Sequence, residues 1–471
     1  MTNQRNRGRI MGRRQVVSAS RETGPTPHRR SRRLVASTAA LSAVSLLAAS
    51  GVAAAAHAAS SPRRSTSKAG VAKLVFWDWS PGMSRAVALF NKTHPKIQVT
   101  LSDVGAGNPE YVKLADAIKA GTGAPDIAEV EYDELPSFEI THSVLDLSKY
   151  GANAYKKDFV PWVWSDVTTG GQVWGMPDDS GPLALLYNSS IFAKDKIAPP
   201  STWAQFATDA AIIHKDKPKS YITNFSAGDL QWVLSLMAQD NAYPFKYTGG
   251  SNVTINFTGP AQTAFANYWQ PLISKGLVND TSDVSLTSFT DMDNGTDAAW
   301  LSSGWGPSYM SADIKKTLGT WRTSYLPQWK AGGQVGANWG GSSFPVIAST
   351  KYPAQAATFS EWMSSTLNSW NIQVSAPTLN FPSFKPELDS PTFVNQTIPL
   401  TGPQKLHVAF VKSAKTASTV QWPPFMTEAL TVSATAFAPV GTGKETLKQA
   451  FASFQKTLVT YAKSEGFKVT T

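Results

Sequence analysis

From Leu74 to Val130 the chain alternates between two periodicities, and that alternation restricts the fold more than any other feature. Leu74-Val-Phe-Trp77 reads as a strand. Ser84 to Thr93 sets Ala86, Val87, Leu89 and Phe90 on one face, predicting a helix that His94-Pro95 stops. Ile97, Val99 and Leu101 alternate with Gln98 and Thr100, giving a second strand. Tyr111 to Ala120 predicts a second helix with Leu114, Ala115 and Ile118 inward and Gly121 as its stop. Pro125 to Val130 is the third strand. Strand, helix, strand, helix, strand at this spacing predicts an α/β fold with a parallel sheet and right-handed crossovers. Ligands of such sheets lie beyond the C-terminal strand ends. Two loops fall there, Asp78-Trp79-Ser80 and Glu131-Tyr132-Asp133-Glu134. Each sets an aromatic ring beside a carboxylate, which suits a sugar: hydroxyls want strong acceptors and C–H faces want a flat apolar ring. Trp77 alternates with Phe76 inside its strand and reads as core.

The sequence ahead of this region is of another kind. Arg29, Arg30, Arg32 and Arg33 precede an uncharged, Ala-rich run from Leu34 to Ala56, closed by Ala56-His-Ala58. Residues 1–59 are therefore expected to be a secretory signal peptide, with an uncleaved anchor helix as the alternative. Ser31-Arg-Arg-Leu-Val35 resembles a twin-arginine export signal. Residues 60–71 read as a flexible linker. The leader holds ten Arg and one Glu, a net +9 of the chain's +10, so the remainder is nearly neutral and nucleic acid is not an expected partner. There is no cysteine, hence no disulfide framework and no lipid-anchor cysteine. The residues after the leader exceed what one core holds, which predicts two domains. Sixteen tryptophans suggest a use beyond packing.

Near the middle lies Gly171-Gln-Val-Trp-Gly-Met-Pro-Asp-Asp-Ser180, followed by the apolar run Leu183 to Tyr187. Two adjacent aspartates, Asp178 and Asp179, stand between two strands. An exposed turn explains them blandly. Burial explains them only if something binds or pairs with them.

The order of motifs resembles a known family. Phe90-Asn-Lys-Thr-His-Pro95, Ala124-Pro-Asp-Ile127, Trp174-Gly-Met-Pro177, Pro199-Pro-Ser-Thr-Trp203, Gly304-Trp305 and Asn338-Trp-Gly-Gly341 follow one another as in the extracellular solute-binding proteins of sugar ABC transporters, the maltose-binding-protein-like group. The resemblance spans residues 72–465. It implies a two-lobe periplasmic-binding type II fold, with a hinge and a ligand cleft between the lobes. Residues 72–177 with 297–346 would form lobe 1, and 180–292 with 350–471 lobe 2. Asp178 and Asp179 would lie at the cleft floor, and Trp422, in the rigid loop Gln421-Trp-Pro-Pro-Phe425, would also face it. The partners implied are a carbohydrate and the membrane permease of an importer, served by a monomer without cofactor or metal.

Further along, Ser201 is expected to cap the helix that begins near Trp203, itself read as packing. Ala298-Ala-Trp-Leu301 reads as a strand returning to lobe 1, and Ala354 to Met363 as a helix returning to lobe 2. Trp305, between two glycines, has little local packing and reads as a stacking platform. Trp339 and Gly340 repeat that pattern, the paired glycines allowing close approach or bending. Thr442 and Glu445 read as the capping box of a terminal helix bearing Leu447, Phe451, Phe454 and Leu458 on one face.

Catalytic signatures fail. Gly443-Lys444 lacks the rest of a phosphate loop, no G-x-S-x-G elbow exists, and the four histidines after the leader show no metal spacing. Carboxylates among Asp78, Asp133, Asp178 and Asp179 leave a secreted glycoside hydrolase as the rival class, with a lectin-like wall module as the other. The expected function is capture of a mono- or oligosaccharide and its delivery to a permease.

Overall fold

The computed structural model describes residues 70–471 except 216 and 377; the leader and most of the linker lie outside the described residues. The first sheet is parallel. Strand Ala72–Trp77 is central, flanked by Ile97–Ser102 in register Ala72↔Ile97 and by Ile127–Ala128 in register Phe76↔Ile127. Its alternation buries Ala72, Leu74 and Phe76 on one face. The crossover helices are Ser84–Thr93, burying Ala86, Val87 and Phe90, and Asn108–Ala120, which Gly121 ends in the left-handed conformation.

The expected third strand is two. Ile127–Ala128 pairs with Ala72–Trp77, whereas Val130–Glu131 pairs antiparallel with the returning strand Ser342–Phe344. That strand also pairs with Met176–Pro177. Glu129 sits where the pairing changes hands, its N–H still bonded to Trp77 O at 2.8 Å.

A second sheet has Ala184–Asn188 at its centre, with Ala299–Ser302 and Trp321–Tyr325 antiparallel on its two sides. This corrects the expectation that 299–302 returns to lobe 1: a strand hydrogen-bonded to 184–188 shares its sheet. The helix Pro353–Ser365 is corrected in the opposite sense. Phe359 packs edge-on against Phe76 and Phe90, at 5.1 and 4.9 Å between ring centroids, and Trp362 packs against Phe90 at 5.4 Å, so the helix covers the first sheet. A third small sheet joins Phe245–Tyr247, Asn252–Ile255 and the C-terminal Lys468–Thr470.

The helix Trp203–Lys215 is capped by Thr202, whose hydroxyl accepts from Gln205 N at 3.2 Å, rather than by Ser201. The terminal helix Leu447–Ser464 has its capping box on Thr446 and Gln449, while Thr442 ends the preceding helix Met426–Gly441. The tryptophan excess is mostly core: Trp203, Trp232, Trp269, Trp300, Trp321 and Trp370 are fully buried. Phe225 stacks on Trp269 at 4.3 Å, and the Trp203 indole donates to Gln239 Oε1 at 2.9 Å. Among the described residues no helix is long and apolar enough to cross a membrane.

Two segments connect the two main sheets, and a third, residues 380–383, runs beside them. Residues 178–183 lead from Met176–Pro177 to Ala184–Asn188, and residues 337–341 lead back to Ser342–Phe344. Leu183 N donates to Ala337 O, Trp339 N to Gly181 O and Asp178 N to Ser342 O, at 2.7 to 2.9 Å. On the other flank Ser180 N donates to Phe381 O at 2.8 Å, and Ser383 Oγ donates to Asp178 O. The approach is so close that a Cβ on Gly181 would stand 1.7 Å from Trp339 O.

Candidate functional site

Where these three segments meet, a cavity of about 330 Å³ opens between the two sheets. The first sheet supplies its wall from strand ends: Trp79 and Ser80 follow strand Ala72–Trp77, and Glu129 and Glu131 flank Val130. The connecting segments supply the floor through Asp179, Gly341 and Asn380. The opposite wall is Trp305 and Tyr309, at the start of helix Gly306–Asp313. A second cavity of about 360 Å³ shares Glu131, Val284 and Trp305 and adds Gln231, Asp283 and Trp339.

The rings are arranged as a corner. Trp305 stands 4.8 Å from Trp339 at 57° and 5.7 Å from Tyr309 at 83°. Its indole N–H donates to Trp339 O at 3.2 Å, which fixes the ring and leaves it half-buried. Opposite, Trp79 packs edge-on against Tyr111 at 6.1 Å. Glycine is required at 341: its φ is +100°, and a Cβ would lie 2.8 Å from the Tyr132 ring. At Gly340, φ +72°, a Cβ would point at the Trp305 indole nitrogen, 3.3 Å away.

The polar groups are acids. Glu131 Oε2 accepts from the Tyr111 hydroxyl at 2.9 Å, and Oε1 has no bonding partner among the described residues. Glu129 Oε2 accepts from Trp79 N at 3.3 Å and Ser80 Oγ at 3.4 Å. Asp179 Oδ1 accepts from Ser342 N at 2.8 Å. Burial pushes all three carboxyls toward the protonated form, and neighbouring acids add to it at Glu129 and Glu131. Asp179 rises to about 6, held there against burial by the Ser342 N–H, and Glu131 rises to about 8. Glu129 goes well above the carboxylate range through burial and the charge of Asp78. Among the described residues no group of His, Asp and Glu is placed to hold a metal ion.

Of the residues singled out from sequence, Trp79, Asp179 and Trp305 line the first cavity and Trp339 the second, with Gly340 against Trp305. The others lie behind the wall. Asp78 is 2 % exposed and accepts from Ser80 N at 2.8 Å. Asp178 is fully buried, both oxygens unpartnered among the described residues, and burial with Asp179 alongside drives its carboxyl well up. Tyr132 is buried and its hydroxyl donates to Asp179 O at 2.8 Å, bracing the floor. Asp133 accepts from Gln231 Nε2 at 2.6 Å, a bond from one wall to the other. Trp422 lines a separate cavity of about 230 Å³ with Asp166 and Tyr247. Sequence reasoning left Glu129, Tyr309 and Asn380 out of the site and, within the loop 131–134, singled out Tyr132 and Asp133 rather than Glu131. Tyr309 was within reach, four residues after Trp305 and so on the same helical face.

Three comparisons bear on this geometry. Residues 76–366 match the model of a family described as bacterial extracellular solute-binding protein. An arabinooligosaccharide-binding protein of Bacillus subtilis is 24 % identical over 318 residues, 64 % of this chain and 70 % of that one. The binding protein associated with an ABC transporter of B. animalis subsp. lactis, solved with β-1,6-galactobiose, is 31 % identical with a TM-score of 0.75, over 85 % of this chain and 100 % of that one. The galacto-N-biose/lacto-N-biose I-binding protein of Bifidobacterium longum shares the fold at 23 % identity and a TM-score of 0.74, over 85 % and 99 %.

Proposed function

The chain belongs to the bacterial extracellular solute-binding proteins, and from that premise we propose how its cleft captures a saccharide. The protein has the two-lobe type II periplasmic-binding fold and is the substrate-binding component of an ABC importer; it is a binding protein, not an enzyme. Its family is exported and works with membrane permeases. In the finer reading it acts as a monomer, outside the membrane, with no lipid attached through cysteine and no part played by nucleic acid.

One observation carries the site: a single cavity takes carboxyls and a ring from the first sheet, a carboxyl from the segments that join the sheets, and two rings from the second sheet's side. A ligand touching both walls favours the closed arrangement over the open one by the difference of its contacts in the two. Trp305 and Tyr309 stack on C–H faces of the sugar. Asp179, Glu129 and Glu131 bond its hydroxyls; a carboxyl protonated by burial can donate as well as accept. The ligand's length fits the relatives that take oligosaccharides, because the second cavity continues the first past Trp305. By this reading lobe 1 keeps 72–177 with 342–373, and lobe 2 takes 184–325 with 408–471.

The test is a thermal-shift screen of purified protein against neutral mono- and oligosaccharides. A ligand at a hundred times its Kd raises stability by about 2.7 kcal/mol, a readily measured rise in melting temperature. A panel of common pentoses and hexoses, extended to their di-, tri- and tetrasaccharides, that moves nothing removes the sugar assignment.

A further inference from the structure

The charge of the cleft is one-sided. Its two cavities are lined by Glu129, Glu131, Asp179, Asp229 and Asp283, and among the described residues that line them there is no Lys, Arg or His. The ion pairs of the described chain lie elsewhere, at Lys149–Asp146, Lys217–Asp195 and Lys415–Asp389. A site made only to bond neutral hydroxyls gains nothing from withholding cations, since lysine and arginine donate to sugar oxygens as well as acids accept from them.

Two of these acids are buried with an oxygen to spare. Glu129 is 2 % and Asp179 8 % exposed, and each lines the first cavity. Among the described residues Glu129 Oε1 and Asp179 Oδ2 have no hydrogen-bond partner, the other oxygen of each being used as described above. Trp305 and Tyr309 add ring faces on the opposite wall, which attract a cation through their quadrupoles.

Resting on the saccharide reading of this cleft, we propose that its preferred ligand is an amino sugar, a glycan unit with a free primary ammonium that Glu129, Glu131 and Asp179 bind, and that sugars carrying carboxylates are excluded. The ammonium supplies three donors to unfilled acceptor oxygens, and its positive charge favours the ionised form of carboxyls that burial holds protonated. A uronic acid would bring a further anion into a cleft where burial already resists ionised carboxyls, and no Lys, Arg or His among the described lining residues would pair it.

The experiment uses matched ligands in calorimetry at pH 7.5: glucose and galactose disaccharides, their 2-amino-2-deoxy counterparts and the corresponding uronic acids. The aminated member of a pair should bind at least about tenfold tighter than its neutral parent, the surplus of a charge-assisted hydrogen bond, and the uronate should not bind. Glu131→Gln and Glu129→Gln should each collapse that ratio toward one, with melting curves confirming the fold. Neutral parents binding as tightly as the aminated ones would overturn the proposal and leave the saccharide reading standing. A ratio unchanged in both variants would overturn it as well, and no binding by any member would remove the reading beneath it too.

Discussion

At the scale of single residues the cleft separates rings that hold ligand from rings that hold the fold. Trp305 is half-buried with one face on the cavity, so Trp305→Ala should cost about 1 to 3 kcal/mol of binding, the size of losing one interface anchor, with little change in melting temperature. Titration calorimetry with the best saccharide of the screen reads the first half of that statement, and a thermal melt of the unliganded variant reads the second. Trp422 is the opposite case. It is 8 % exposed, packs at 90° on Tyr243, 5.7 Å away, and faces another cavity. Trp422→Ala should therefore lower stability by about 3 to 5 kcal/mol in denaturant unfolding while saccharide affinity stays within a factor of two. The pair Asp178 and Asp179 shows where the sequence stops speaking. Neighbours on extended backbone point to opposite sides, so one aspartate had to face the cleft and the other the interior. Nothing in two identical letters says which. Glu129 hid for a related reason: it reads as the polar member of a strand, and only the change of pairing partner at that residue turns it toward the cavity.

At the scale of elements, what was legible was local. Helix Ser84–Thr93 and strands 72–77 and 97–102 follow from periodicity, because each is long enough to show one. The strands that return are two to four residues long, and their partners lie up to some two hundred residues away in sequence, so a period reveals neither their membership nor their order. The terminal capping box was misplaced by one turn for a similar reason. Thr442 with Glu445 and Thr446 with Gln449 present the same signature, and the choice fell to the second because helix Met426–Gly441 continues through Pro439 and uses Thr442 for its own end. The connecting segments make a sharp prediction. Gly181→Ala places a methyl against the Trp339 carbonyl with no flexible atom to yield, and should cost about 3 kcal/mol or more in denaturant unfolding. Gly250→Ala, where nothing lies within 4 Å of the added carbon but φ is +72°, meets backbone strain without crowding and gives the contrast to Gly181→Ala, which meets crowding without a left-handed backbone.

At the scale of the whole molecule, the buried acids set a pH dependence. Asp78, Glu131 and Glu134 are each raised by burial to about 8, and Asp133 and Asp179 to about 6. Between about 4 and 8 the folded chain binds more protons at these sites than the unfolded chain, so their contribution to stability is full at the acid end and is lost as pH rises through the raised values. The unliganded protein should melt at a higher temperature at pH 5 than at pH 8, and Asp78→Asn should flatten the difference. A curve rising from pH 5 to pH 8 would contradict the burial described for these carboxyls. The two walls also touch without ligand. Gln231 reaches Asp133 at 2.6 Å, and Thr427 donates to Glu134 at 2.8 Å. Removing both contacts with Gln231→Leu and Thr427→Val should enlarge the radius of gyration of the empty protein in small-angle scattering, and the best saccharide should restore it.

Asp179 sits on the same short piece of backbone that ties the halves together, and its side chain holds Ser342 on the neighbouring strap. The guest therefore grips the pivot of the jaw as well as its teeth. A change of diet written at that position would alter how fast the jaw swings, whereas one written at Glu129 or Tyr309 would leave the swing alone. Lineages drifting toward new sugars should accordingly edit the outer teeth first and reach the pivot last.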